Sequence, residues 1–122
     1  MSGKQECKWT KRDQLKSACL ENRFVVVKIG ATWCKPCRRC APHVEGCYAK
    51  MPRGLKMIKV DADEGDDIMA FLKVRSIPFL QSYVDGEPQH VCGSSKPEDI
   101  SAFFRKVAVD MAKASTASNV EF

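Results

Sequence analysis

Three cysteines, Cys34, Cys37 and Cys40, fall within seven positions of the stretch ATWCKPCRRCAPH, and Trp33 stands directly ahead of the first. Thiols at this density can act as a redox couple, as metal ligands, or as small core residues. If a helix begins near Cys34 and each residue turns by about 100°, then Cys37, Cys40, Ala41, Val44, Cys47 and Tyr48 share one stripe. Arg38, Arg39, Glu45 and Lys50 lie on the other side. Cys40 and Cys47 then occupy positions where a core-facing helix places any small apolar residue. Cys34 differs, because it stands where the first backbone N–H groups of a helix lack partners and the helix dipole favours an anion. Lys35, Arg38 and Arg39 add positive charge, and all of these lower a thiol pKa, as a nucleophilic cysteine requires. Cys37, three residues on, is within disulfide reach. An exposed Cys34 would attack a substrate disulfide and the deeper Cys37 would resolve the mixed disulfide. Pro36 fits the first turn without losing a needed N–H.

Zinc and iron–sulfur sites use the same C-x-x-C spacing. A set of Cys34, Cys37 and Cys40 would need a fourth ligand, for which His43, Cys47 and Cys92 are the candidates. On a helix, however, Cys34 and Cys40 are separated by about 9 Å of rise, and the expected metal content is none.

The elements that must position the pair follow from hydrophobic periodicity. Thr10 and Asp13 suggest a capping pair for a helix with apolar positions Leu15, Ala18, Cys19 and, beside them, Leu20. RFVVVKIGA carries a valine-rich apolar run over 24–29, suited to a strand covered on both faces. A helix over about 34–50 follows, then a second buried strand in LKMIKVDAD. DDIMAFLKV returns to helical spacing through Ile68, Phe71 and Leu72. Asp85-Gly86 between two extended runs signals a hairpin. A last amphipathic helix has Pro97 in its first turn and Ile100, Phe103, Phe104 and Val107 on one side. A short strand over 7–9 is a further candidate. This alternation predicts an α/β sandwich: a central mixed sheet, parallel at the crossovers and antiparallel at the hairpin, with helices on both faces. Residues 1–112 form one domain, and the small, polar 113–122 is expected to be a flexible tail.

At 122 residues, 44% hydrophobic and 29% charged, the chain has the composition of an ordinary globular protein with its own core. No apolar run approaches the about 18 residues of a membrane span. Seven cysteines, an odd number, and a start, MSGKQECKW, without a secretory apolar run point to a reducing compartment, expected to be the cytoplasm. The net charge of +5 is spread among acids rather than gathered into a basic stripe with aromatics, so no nucleic acid partner is expected.

The residues resemble the thioredoxin family over about 7–111. WCKPC is similar to the family's Trp-Cys-Gly-Pro-Cys, with Lys35 in place of glycine. Pro42 in CAPHVE, Pro78 in VRSIPF and the pattern KVDAD match in the right order. The resemblance implies a thioredoxin-like three-layer sandwich and a thiol–disulfide oxidoreductase, an enzyme-like electron carrier that reduces protein disulfides. Cys34 would be the nucleophile and Cys37 the resolving thiol. Trp33, Lys35, Pro36, Ile77 and Pro78 would shape the site. Pro78 is expected to be cis, which would expose the backbone of Ile77 beside the sulfurs. The implied partners are protein disulfides and a thioredoxin reductase or similar donor, with no cofactor. A binding module without redox turnover is the alternative reading. A monomer is expected, a disulfide-linked dimer being the alternative.

Two departures from the family pattern matter. Lys28 stands where the family often has a buried aspartate, and Lys59 on the next strand matches the family's own lysine. Two ammonium groups aimed at one region repel unless one escapes or loses its proton, and their field would modulate the couple by favouring thiolate. Cys92 occupies a usual glycine position, and is a candidate regulatory thiol or an inert small residue. Beyond the core positions of Cys40 and Cys47, the sequence assigns no role to Cys7, Cys19, Cys40 and Cys47. His43 and His90 are expected at the surface, Trp9 in packing, and the acidic run 61–67 in a solvated loop.

Overall fold

The chain is described by a computed structural model covering residues 6–8 and 10–119; Trp9 lies outside the described residues. The elements are β1 (Glu6–Lys8), α1 (Arg12–Glu21), β2 (Phe24–Gly30), α2 (Lys35–Ala49), β3 (Leu55–Asp61), α3 (Asp66–Leu72), β4 (Phe79–Val84), β5 (Glu87–Cys92) and α4 (Pro97–Asn119). The strands form one sheet in the order β1-β3-β2-β4-β5. β3 pairs parallel with β1 and β2, and β4 pairs antiparallel with β2 and β5. This is the expected mixed sheet.

The run on β2 is covered on both faces because its side chains alternate between two cores. Val25, Val27 and Ile29 join Leu15 and Ala18 of α1 and Ile68 of α3. Val26 faces the other way, with Cys40, Val44 and Tyr48 of α2 and Ile100, Phe103, Phe104 and Val107 of α4. Lys28 is two residues on from Val26, so it points to the α2 side, and the register Lys28↔Lys59 sets the second lysine beside it. At the hairpin, Asp85 (φ 51°) and Gly86 (φ 83°) both take left-handed backbone, the pairing a two-residue turn between twisted strands favours.

Local details differ from expectation. The first helix begins at Arg12 with Lys11 as N-cap, not at the Thr10–Asp13 pair. Gln14 closes it by accepting the backbone N–H groups of Thr10 at 2.8 Å and Lys11 at 2.9 Å through Oε1. Leu20 is 88% exposed rather than part of the apolar face. Phe71 lies half out of the core, under the cationic ends of Arg12 and Lys16. α4 itself runs from Pro97 to Asn119.

Candidate active site

β2 ends at Gly30 and the chain turns through 31–34 into α2, so the strand-to-helix junction delivers the cysteines to the edge of the sheet. Cys34 is the N-cap, with extended backbone, and its Sγ accepts the N–H of Cys37 at 3.3 Å. Cys34 and Cys37 are joined in a disulfide with Cα atoms 5.2 Å apart. In this state both are covered, at 6% and 8% exposure, so the open Cys34 beside a deeper Cys37 expected from the sequence is not seen. They form a small cluster with Ala31, against which Ala62 and Ile77 pack. The Ile77–Pro78 peptide is cis.

α2 has no acidic residue in its first turn and has proline at its start, which leaves the helix's own N–H groups and Lys35, Arg38 and Arg39 as the local field. Arg38 also braces the junction, donating from Nη1 to the carbonyl of Thr32 at 2.6 Å. Trp33 is 62% exposed, yet its ring is held, because Nε1 donates to Asp63 Oδ2 at 2.9 Å. Asp63 belongs to the acidic run read from sequence as solvent-facing; a tryptophan N–H needing an acceptor was the available signal.

An open cleft of about 420 Å³ adjoins Cys37 and is lined by Lys28, Lys59, Arg38, Asp61 and Glu64 among others. The two lysines are reconciled by a residue the helical angle had set aside. Glu45 Oε2 lies 3.3 Å from Lys28 Nζ and 3.0 Å from Lys59 Nζ. Lys28 has only 18% of its side chain exposed, so it neither escapes to solvent nor stands without a counter-charge.

The remaining thiols separate from the pair. Cys40 is buried and donates to the Cys37 carbonyl at 3.5 Å; burial pushes its thiol up, opposed by Lys28. Burial likewise pushes up Cys19. Cys92 closes β5 in the core, donating to the Ser94 carbonyl at 3.7 Å, the place of a small core residue. Among the described residues, no three or more His, Cys, Asp or Glu side chains are grouped to hold a metal ion. His43 and His90 are each engaged, with Ser101 and Asp110 respectively.

The thioredoxin family model matches residues 6–106. The chain is 34% identical to Thioredoxin-2 of Pyricularia oryzae over 73% of this chain and 52% of that protein, about half of that relative's length. It is 34% identical to Thioredoxin of Bacillus subtilis over 71% of this chain and 84% of that one. It is 36% identical to Thioredoxin H3 of Arabidopsis thaliana over 75% and 76%. Oxidised thioredoxin from Plasmodium falciparum superposes with a TM-score of 0.74 at 27% identity, covering 85% of this chain and 99% of that one. Malassezia sympodialis thioredoxin gives 0.77 at 23% identity over 88% and 95%, a likeness of fold. A disulfide-bonded C-x-x-C pair capping the helix that follows the central strand, within a match spanning nearly the whole sheet, makes this chain a member of the thioredoxin family and a thiol–disulfide oxidoreductase.

Proposed function

We propose that the chain reduces protein disulfides with Cys34 as attacking sulfur and Cys37 as resolving sulfur. With the pair reduced, the Cys34 thiolate attacks one sulfur of a substrate R–S–S–R′; that bond breaks, R′S⁻ leaves and takes up a proton, and Cys34 is joined to R. Cys37, deprotonated, then attacks Cys34 Sγ and releases RS⁻, which is protonated in turn. Two electrons have passed from the dithiol to the substrate, and a thioredoxin reductase or similar donor returns them.

The observation that carries this reading is the disulfide at the α2 N-cap, where the Cys37 N–H already points at Cys34 Sγ. The same donor, with the cations of the first turn, favours Cys34 as the sulfur that ionises. Trp33, fixed by Asp63 but open on its face, and Ile77, packed beside the sulfurs, offer apolar contact to a substrate chain. Lys35 and Pro36 shape the loop between the sulfurs. The cleft at Cys37 is roomy enough for water to carry its proton away, and Lys28 and Lys59 line it, modulating the thiolate. We place the activity in a reducing compartment, the cytoplasm, and in a monomer; no helix among the described residues is long and apolar enough to cross a membrane.

Cys37→Ser tests the assignment. It is expected to stall the mixed disulfide on Cys34 and retain substrate proteins from a cell extract, released by dithiothreitol. Wild type is expected to accelerate insulin precipitation by dithiothreitol, and Cys34→Ser not to. An unaccelerated wild type, or Cys34→Ser as active as wild type, refutes redox turnover and leaves docking alone.

A further inference from the structure

A second thiol on α2 sits with a base, away from the Cys34–Cys37 pair. His43 and Cys47 are four residues apart and therefore neighbours on one helix face, and Ser101 of α4 meets them across the helix–helix contact. His43 Nε2 lies 2.8 Å from Ser101 Oγ and 3.6 Å from Cys47 Sγ, and Sγ lies 3.9 Å from Ser101 Oγ. Two polar side chains, one from each helix, converge on one ring nitrogen. Cys40 and Cys92 are buried, whereas Cys19 and Cys47 are partly exposed; of these two, burial pushes the Cys19 thiol up, and Cys47 has the imidazole beside it. Lys50 on α2 lies one turn from Cys47, and Glu98 and Arg105 on α4 lie one turn to either side of Ser101.

We propose that Cys47 is a second thiol-exchange site, which takes low-molecular-weight disulfides onto its sulfur with His43 as base, reached through the Ser101 hydroxyl. With Nε2 unprotonated, the Ser101 hydroxyl donates to it at 2.8 Å, and the Cys47 proton passes to Ser101 Oγ as the Ser101 proton passes to Nε2. The thiolate attacks one sulfur of R–S–S–R, the S–S bond breaks, and a Cys47–S–S–R bond forms. The departing RS⁻ takes the proton from the imidazolium. Cys47 is oxidised to the disulfide level, one RS group is reduced to thiol, and no further oxidant enters.

The test uses the full chain with Cys34–Cys37 oxidised and glutathione disulfide as probe, read by intact mass and peptide mapping. One adduct is expected, on Cys47, and Cys47→Ala is expected to abolish it while insulin reduction is unchanged. His43→Gln and His43→Asn are expected to slow adduct formation near neutral pH by about tenfold, because an unassisted thiol is only a few per cent ionised there. That gap should close near pH 9.5, where thiols ionise without help. Absence of an adduct, an adduct at another cysteine, or His43 variants that react as fast as wild type each overturn the proposal.

Discussion

Glu45→Gln isolates the charge that holds Lys28 and Lys59 together. Both ammonium nitrogens contact the same oxygen, at 3.3 and 3.0 Å, so they stand no more than about 6 Å apart, and two unit charges at that separation repel by about 1–3 kcal/mol for effective dielectric constants of about 20–60. The side chains are 18%, 32% and 40% exposed, so solvent screens part of this, and the expected loss of stability is about 1–2 kcal/mol. In a domain of this size that lowers the thermal midpoint by about 5–10 °C. Lys28→Met/Glu45→Gln removes one of the two cations as well, and should recover at least half of the loss. Scanning calorimetry of wild type, single and double variants at low salt and at about 0.5 M salt measures the cycle, with the gap narrowing at high salt. The redox couple gives an independent readout, since a more positive surrounding stabilises thiolate and makes the pair more oxidising. Glu45→Gln should therefore shift the potential to less negative values and Lys28→Asp to more negative ones, each by about 15–30 mV if about 0.7–1.4 kcal/mol reaches the sulfurs. A Glu45→Gln midpoint equal to wild type at low salt, a double variant no better than the single, or potentials that move in the same direction would refute the reasoning.

Gly65→Ala places a methyl against Val60 Cγ1 and 3.0 Å from the Asp61 carbonyl oxygen, and should cost about 1–3 kcal/mol in urea titration. Asp63→Ala should leave stability within about 0.5 kcal/mol but release the Trp33 ring, raising KM for a protein disulfide with little change in kcat, and altering tryptophan fluorescence. Burial, with a contribution from Cys19, pushes the Tyr83 phenol up to about 12. Because that lies above the ordinary value of about 10, the stability it represents is present below pH 10 and lost as pH rises through about 12; Tyr83→Phe should show a smaller alkaline fall in thermal midpoint. The backbone N–H of Arg12, then its guanidinium, holds the Asp67 carboxyl below its usual range. That contribution is present above the ordinary carboxylate pKa and lost as pH falls through the lowered one, so the midpoint of Asp67→Asn should fall less on acidification.

What was legible in the sequence was what depends on near neighbours along the chain. Cys34 and Cys37 were readable as a pair because three residues on a helix is a local distance. The two-faced burial of β2 followed from its apolar run, interrupted only at Lys28, and the Asp85-Gly86 hairpin from residues that tolerate left-handed backbone. The cap of α1 was missed by one residue because Thr10 and Gln14 offered competing acceptors and only the folded chain decides between them.

The features that tune the chemistry come instead from contacts across the fold. The α2 angle put Glu45 on the side away from the core, but a helical wheel ranks directions, not reach. The long side chain lies at the edge of the apolar stripe, and it turns inward because the parallel register puts Lys28 beside Lys59. That register is invisible until β2 and β3 are paired. The same holds for Asp63 on Trp33 and for Ser101 on His43, contacts between residues 30 and 58 apart in the chain. Local spacing thus specifies which atoms react, while sheet register and helix packing specify the charge around them. A chain with the same WCKPC motif but an aspartate at 28 would need no acid at 45, so replacing the two positions together tests the charge arrangement more directly than altering the motif.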